Sequence, residues 1–170
     1  KMKRTLTALT VAASMFASSA YAFDPDDLQK LKDTGNCYQC DLAGADLRGA
    51  DPGLADLAGA NLAGANLEDA NLTDAFLKDV NLEGANLTNA NLKNAFLIGA
   101  NLEGANLIVA NLKDANLIVA NLTDAALFRA DLEDANLGGA TLRGATLNFT
   151  YMNGAILCNT TMPDGSVIYS

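Results

Sequence analysis

The chain has 170 residues, half of them hydrophobic, with 11 Lys or Arg against 20 Asp or Glu and a net charge of −9. That length suits one domain, and the acidity disfavours binding to nucleic-acid phosphates. There is no His, no Trp and only 6% aromatic residues. The common metal-ligand sets are therefore missing, and the core must be built from aliphatic and small side chains.

Residues 1–22 read as a secretory signal. Lys1, Lys3 and Arg4 form a basic start, Leu6 to Phe16 a weakly apolar stretch, and Ala20-Tyr21-Ala22 a small-residue cleavage site. The apolar stretch is too short and too rich in Ser and Thr to span a bilayer, so no stable membrane insertion is expected after cleavage. Cleavage after Ala22 removes three positive charges and no negative one, which takes the net charge from −9 to −12. The expected destination is export, in the broad sense the periplasm.

Residues 23–39 are expected to form an N-terminal cap. Asp24 is fit to be the N-cap of a short helix, Pro25 suits its first turn, and Asp26 and Asp27 favour the positive end of its dipole. Leu28 and Leu31 fall on one face, and Gly35 stops the helix. Cys37-Tyr38-Gln39-Cys40 follows. Three readings compete for this pair. The favoured one is a structural disulfide, allowed by an oxidising compartment. A thioredoxin-like redox site lacks the surrounding βαβ pattern, and half a metal site lacks a second pair. Cys158 lies about six coils further on, ~28 Å at strand spacing, which is too far to bond either. Its options are a thiol or an intermolecular bond.

Residues 40–162 are a repeat. From Leu42 to Met162 there are 25 five-residue units; Leu holds the centre of 22, and Ala stands two residues earlier in 21. The unit is A-(N/D)-L-x-x, as in Ala60-Asn61-Leu62-Ala63-Gly64. A step of five advances about 140° beyond a full helical turn, which scatters the leucines around a helix. On a flat strand it changes face at every step. The period is satisfied if the chain turns a corner once per unit, with Leu and Ala inward, in a square coil of four units. Gly and Asp at the second position after Leu mark the corners. Such a solenoid stacks its coils like parallel strands ~4.8 Å apart. Asp51-Pro52-Gly53-Leu54 breaks the motif while keeping its register. Pro52 cannot donate a backbone hydrogen bond, so a local distortion is expected there.

With these units the chain resembles the pentapeptide repeat family over Cys40 to Met162. The resemblance implies an all-β solenoid, a right-handed quadrilateral β-helix, here of about six coils behind a short N-terminal capping helix. Handedness comes from the resemblance alone. Some members are acidic rods that resemble duplex DNA and bind DNA gyrase. Exported members with a CxxC-like start look like those of the cyanobacterial periplasm or thylakoid lumen.

Residues 163–170 form a C-terminal tail. Met162-Pro163-Asp164-Gly165 is a turn signal, and Val167-Ile168-Tyr169 is expected to fold over the last coil.

A 20-residue coil sorts the outward residues into four walls. The wall of Leu62, Leu82, Leu102 and Leu122 carries a column of Asn61, Asn81, Asn101 and Asn121, whose amides can bond from coil to coil. The wall of Leu72, Leu92 and Leu112 is mixed in charge. The wall of Leu77, Leu97 and Leu117 carries Phe76, Phe96, Ile98, Ile118 and Val119 outward, with Ile156 beyond. The opposite wall carries Ile108, Val109, Phe128 and Phe149. Phe76 and Phe96 either stack as a ladder that stabilises the rod or present an apolar strip to a partner, and the two roles are compatible.

No catalytic constellation, phosphate loop or cofactor motif is found, so no catalysis and no cofactor are expected. The expected function is an exported, non-catalytic structural or interaction module, with an unidentified protein partner or self-association. The alternative is an acidic DNA mimic that binds a DNA-processing enzyme such as gyrase.

Overall fold

In the computed structural model the described residues are 22–169. The signal segment, up to Tyr21, and Ser170 lie outside them. The chain opens with α1, Pro25–Thr34. Asp24 caps it, its carboxylate accepting the Asp26 N–H at 2.9 Å, and Gly35 ends it in the left-handed region at φ 72°, its N–H bonding to the Leu31 carbonyl. Leu28 and Leu31 are buried in the same cluster as Leu42 and Leu47.

From Asp41 onward, residues 20 apart pair in parallel, from Asp41↔Asn61 to Thr141↔Thr161. These are single-residue bridges rather than long strands, because a corner follows each one. The two named strands, β1 (Thr160–Thr161) and β2 (Val167–Ile168), pair antiparallel and fold the tail back beside the last coil. The Leu and Ala columns fill the bore: Leu62 through Leu142 are almost wholly buried. At the end the core thins, and Leu147, Met152, Leu157 and Met162 are only partly buried.

Every backbone N–H of a standard unit has a destination, as burial demands. In the unit around Leu82, the Leu82 N–H reaches Asn101 O at 2.7 Å, and the Gly84 N–H reaches Glu103 O at 2.8 Å. The Asn81 N–H returns to Ala60 O of the previous coil at 3.0 Å, and the Ala85 N–H closes the turn onto Leu82 O at 3.0 Å. The remaining donor, Glu83 N–H, is taken by the Asn81 side chain at 3.1 Å. This last bond explains why Asn or Asp precedes Leu: its short side chain satisfies the one N–H that the stacking leaves over.

The corner itself demands a positive φ at every fifth residue from Gln39 to Asn159. Gly, Asn and Asp tolerate that conformation best, which accounts for their place two residues after Leu. At Pro52 the expected distortion amounts to one missing ladder bond. The Leu54 N–H still reaches Thr73 O at 3.0 Å, the Asn71 N–H still reaches Ala50 O at 2.8 Å, and the register holds.

Candidate functional site

The wall with the asparagine column is a closed polar surface. Asn61 donates to Asp41, Asn81 to Asn61, Asn101 to Asn81 and Asn121 to Asn101, at 3.0 to 3.3 Å. Asn121 also reaches Glu103 Oε2 at 3.1 Å. Each amide thereby bonds its own unit and its neighbouring coil, and little hydrogen-bonding capacity is left for a visitor. The mixed wall is ionic. Lys113 Nζ meets Glu133 Oε2 at 3.0 Å, and that hydrogen bond raises the lysine pKa. On the adjacent wall, in the first coil, the Arg48 guanidinium bonds Asp46 and holds its carboxyl below the usual 3.8.

The wall of Leu77, Leu97 and Leu117 departs from this pattern. Phe76 and Phe96 stack with centroids 5.1 Å apart and planes 6° from parallel, yet they remain 50% and 42% exposed. The stack runs along the rod, so the rings show their edges to solvent. Phe cannot make the local bond that Asn makes, and among the described residues no acceptor is recorded for the N–H of Lys78 or Ile98. Ile98 and Ile118 are half-buried, because side chains just after Leu lie along the wall against neighbouring rungs. Val119 is 58% exposed at a corner with φ 52°. It leans over Gly139, where an added Cβ would come within 3.1 Å of Val119 Cγ1.

The opposite wall repeats the theme. Val109 is 48% exposed with φ 59°, and Phe149 is 73% exposed with φ 59°. A β-branched or bulky residue in the left-handed region is a true outlier, costing roughly 1–2 kcal/mol against Gly. Ile108 and Phe128 are half-buried; Phe128 meets Phe149 edge to face at 5.7 Å, and the Arg129 guanidinium sits 5.3 Å above the Phe128 ring. The structure thus gathers Phe76, Phe96, Ile98, Ile118 and Val119 on one wall and Ile108, Val109 and Phe128 on the opposite one. Sequence reasoning missed Leu54, exposed with φ 63°, and Tyr151, exposed near the last corner. The slot of Leu54, two residues after a wall position, was the available signal.

At the cap, the Cys37 and Cys40 sulfurs stand at bonding distance with Cα atoms 5.3 Å apart, both residues buried. Asp27 brings a carboxylate within 4.8 Å of both sulfurs, but that carboxylate already accepts the Asp41 N–H at 2.7 Å. A cleft of about 30 Å³ lies between α1 and the first coil, lined by Leu31, Lys32, Gly35, Leu47, Ala50, Asp51 and Pro52. That volume holds about one water molecule. No helix among the described residues is long and apolar enough to cross a membrane.

The family model for pentapeptide repeats matches the chain with 8 copies, over residues 36–74, 53–89, 85–124 and 120–157. Comparison with curated proteins gives no match. Among solved structures, the chain is similar to HetL of the cyanobacterium Nostoc, a pentapeptide repeat protein involved in heterocyst differentiation regulation. The two are 36% identical with a TM-score of 0.53, over 78% of this chain and 68% of HetL. It is also similar to the pentapeptide repeat protein Rfr23 of the cyanobacterium Cyanothece, at 31% identity and a TM-score of 0.59, over 85% of this chain and 98% of that one. QnrB1, a plasmid-mediated fluoroquinolone resistance protein, is 26% identical over 65% of this chain and 59% of its own. Its TM-score of 0.39 is too low to inform function. The 20-residue parallel register, the corners at every fifth residue and the family match agree: the chain belongs to the pentapeptide repeat family, whose fold is the right-handed quadrilateral β-helix.

Proposed function

We propose that this protein is an exported, non-catalytic interaction module: a rod of about six coils, capped by α1 and a Cys37–Cys40 disulfide, that offers its two apolar walls to a protein partner. Residues 1–22 act as the signal that carries it to the periplasm. The observation that carries the reading is the cost of the apolar residues. Phe76 and Phe96 give up a local backbone bond, while Val109, Val119 and Phe149 hold a disfavoured φ. All five remain at least two-fifths exposed, so packing inside the rod returns little for that cost. Strain and exposed apolar area in the same places support a surface kept for binding.

Crosslinking of tagged protein in its native compartment tests this. Wild type captures a defined partner, or a second copy, that the Phe96→Ser/Val119→Gly variant loses while keeping its circular dichroism spectrum. Equal capture by both removes the walls from consideration. N-terminal sequencing of the recovered protein tests export, with cleavage after Ala22 expected. A cytoplasmic, uncleaved product brings back the DNA-mimic reading, which rests on the net negative charge.

A further inference from the structure

The asparagines of this rod are chemically unequal. Asn is a thermolabile residue, because the backbone nitrogen of the next residue can attack its side-chain amide carbon. That nitrogen must give up its proton and approach Cγ. A hydrogen bond on its N–H and a bulky side chain beside it both slow the step. Nearly every Asn here is guarded in the first way. Those that precede a core Leu face an N–H tied into the ladder, as the Leu82 and Leu102 N–H groups are tied to Asn101 O and Asn121 O, both at 2.7 Å. The corner residues Asn89, Asn94 and Asn159 precede Ala90, Ala95 and Thr160, whose N–H groups close the turn onto the carbonyls of Leu87, Leu92 and Leu157. Asn36 precedes Cys37, whose N–H reaches Asp56 O at 2.8 Å.

Asn148 and Asn153 remain, both in the last coil and both directly before a corner residue. The Phe149 and Gly154 N–H groups find no backbone acceptor among the described residues. Phe149 shields its own nitrogen with a ring, whereas Gly154 has no side chain to do so. The fold holds that glycine in place. Its φ is 72°, and an added Cβ would collide with Asp134 Oδ1. Asn153 and Gly154 are both exposed. What ties the peptide plane between them to the preceding coil is the Asp134 N–H bond to Asn153 O at 2.9 Å. Asp164-Gly165 is the acid counterpart of this dipeptide, and it is guarded. The Gly165 N–H reaches Met162 O at 2.9 Å, and the Asp164 carboxylate accepts the Ser166 N–H and hydroxyl at 2.9 and 2.6 Å.

We propose that Asn153-Gly154 is a self-modification site, at which the folded chain deamidates with water as the co-reactant. The Gly154 nitrogen loses its proton to solvent and bonds to Asn153 Cγ. The Cγ–Nδ2 bond breaks, and Nδ2 leaves as ammonia, which closes a five-membered succinimide. Water then adds to one of the two ring carbonyls, and opening gives either Asp or its β-linked isomer. No electron is transferred. Either product places a carboxylate one rung, ~4.8 Å, beyond Glu133, where like charges oppose pairing. The β-linked product also adds a methylene to the backbone at the corner, which takes the residue 153 carbonyl out of register with the Asp134 N–H. The last coil thereby loosens with age, and with it the rim that carries the exposed Phe149 and Tyr151.

The test ages the purified protein in warm, mildly alkaline buffer that leaves its circular dichroism spectrum native. Trypsin releases residues 144–170 as one peptide, since no Lys or Arg follows Arg143. Fragmentation by mass spectrometry reads each Asn in that peptide, and an isoaspartyl methyltransferase with a labelled methyl donor reports the β-linked product. Acid is expected at residue 153 an order of magnitude faster than at Asn148 or Asn159, and faster still as pH rises. The melting temperature of aged wild type should fall, while that of aged Asn153→Gln should hold, because the six-membered ring Gln would need forms far more slowly. A sample kept in denaturant gives the rate without the fold. Asn153 intact in the folded chain while the denatured chain converts, or Asn148 and Asn153 converting at one rate, overturns the site. Conversion with no change in melting temperature overturns the loosening of the last coil.

Discussion

The wall of Leu62, Leu82 and Leu102 and the wall of Leu77, Leu97 and Leu117 share one backbone, one core and one ladder. They differ only in the letters that face outward. On the first, Asn81 and Asn101 bond within their own units and with each other, so the surface reinforces the fold. On the second, Phe96 stacks on Phe76 but leaves the Ile98 N–H without a recorded acceptor, and Val119 holds a φ that its side chain opposes. The lesson is that the solenoid's stability comes from positions common to all walls, which leaves the outward positions free to diverge. One wall has spent that freedom on stability and the other has not.

Four measurements break or sharpen this contrast. The largest effect should be blind to it. Leu102→Ala and Leu97→Ala, one beneath each wall, should each lower unfolding free energy by roughly 2–5 kcal/mol in denaturant titrations. A large difference between them means the core is not shared evenly. Next, Asn101→Ala removes bonds to Asn81, Asn121 and the Glu103 N–H and should cost about 1–2 kcal/mol with no change in partner capture. Loss of capture would assign the binding role to the wrong wall. Third, Val119→Gly should raise stability by about 1 kcal/mol or less, the relief of the left-handed corner set against the entropy of Gly, while capture weakens. Gly99 and Gly139 hold the same corner in the adjacent coils. A drop in stability would mean that Val119 is packed for the fold. The smallest effect concerns pH. The Arg48 hydrogen bond lowers the Asp46 pKa from 3.8, so its stabilisation is complete above the unfolded carboxyl's pKa and is lost as pH falls through the lower folded value. Arg48→Ala should lower the melting temperature slightly at neutral pH, flatten its fall through that acidic window and leave it unchanged below the folded value, and the effect stays small because the pair is exposed.

The sequence states most of the fold because its period admits one geometry. The leucine spacing implies the coil, Gly and Asp mark the corners, and Asp24, Pro25 and Gly35 bound α1 to the residue. Even the Phe76–Phe96 stack follows from residues 20 apart. The site was less legible. Ile98, Ile118, Ile108 and Phe128 count as outward in a flat projection, but residues just after Leu lie against the neighbouring rungs and become half-buried. Val109, Val119 and Phe149 look like ordinary apolar substitutions until the corner φ is known.

The 20-residue register also sets what lengths the protein can take. Loss or gain of a whole coil alters the rod's reach and leaves every column in phase. Loss of a single five-residue unit turns everything downstream by a quarter revolution. Removing Leu102 to Asn106, for example, would keep the motif unbroken and still carry Ile118 and Val119 out of line with Phe76 and Phe96. Inherited change in such a chain is therefore quantised twice, once in reach and once in bearing.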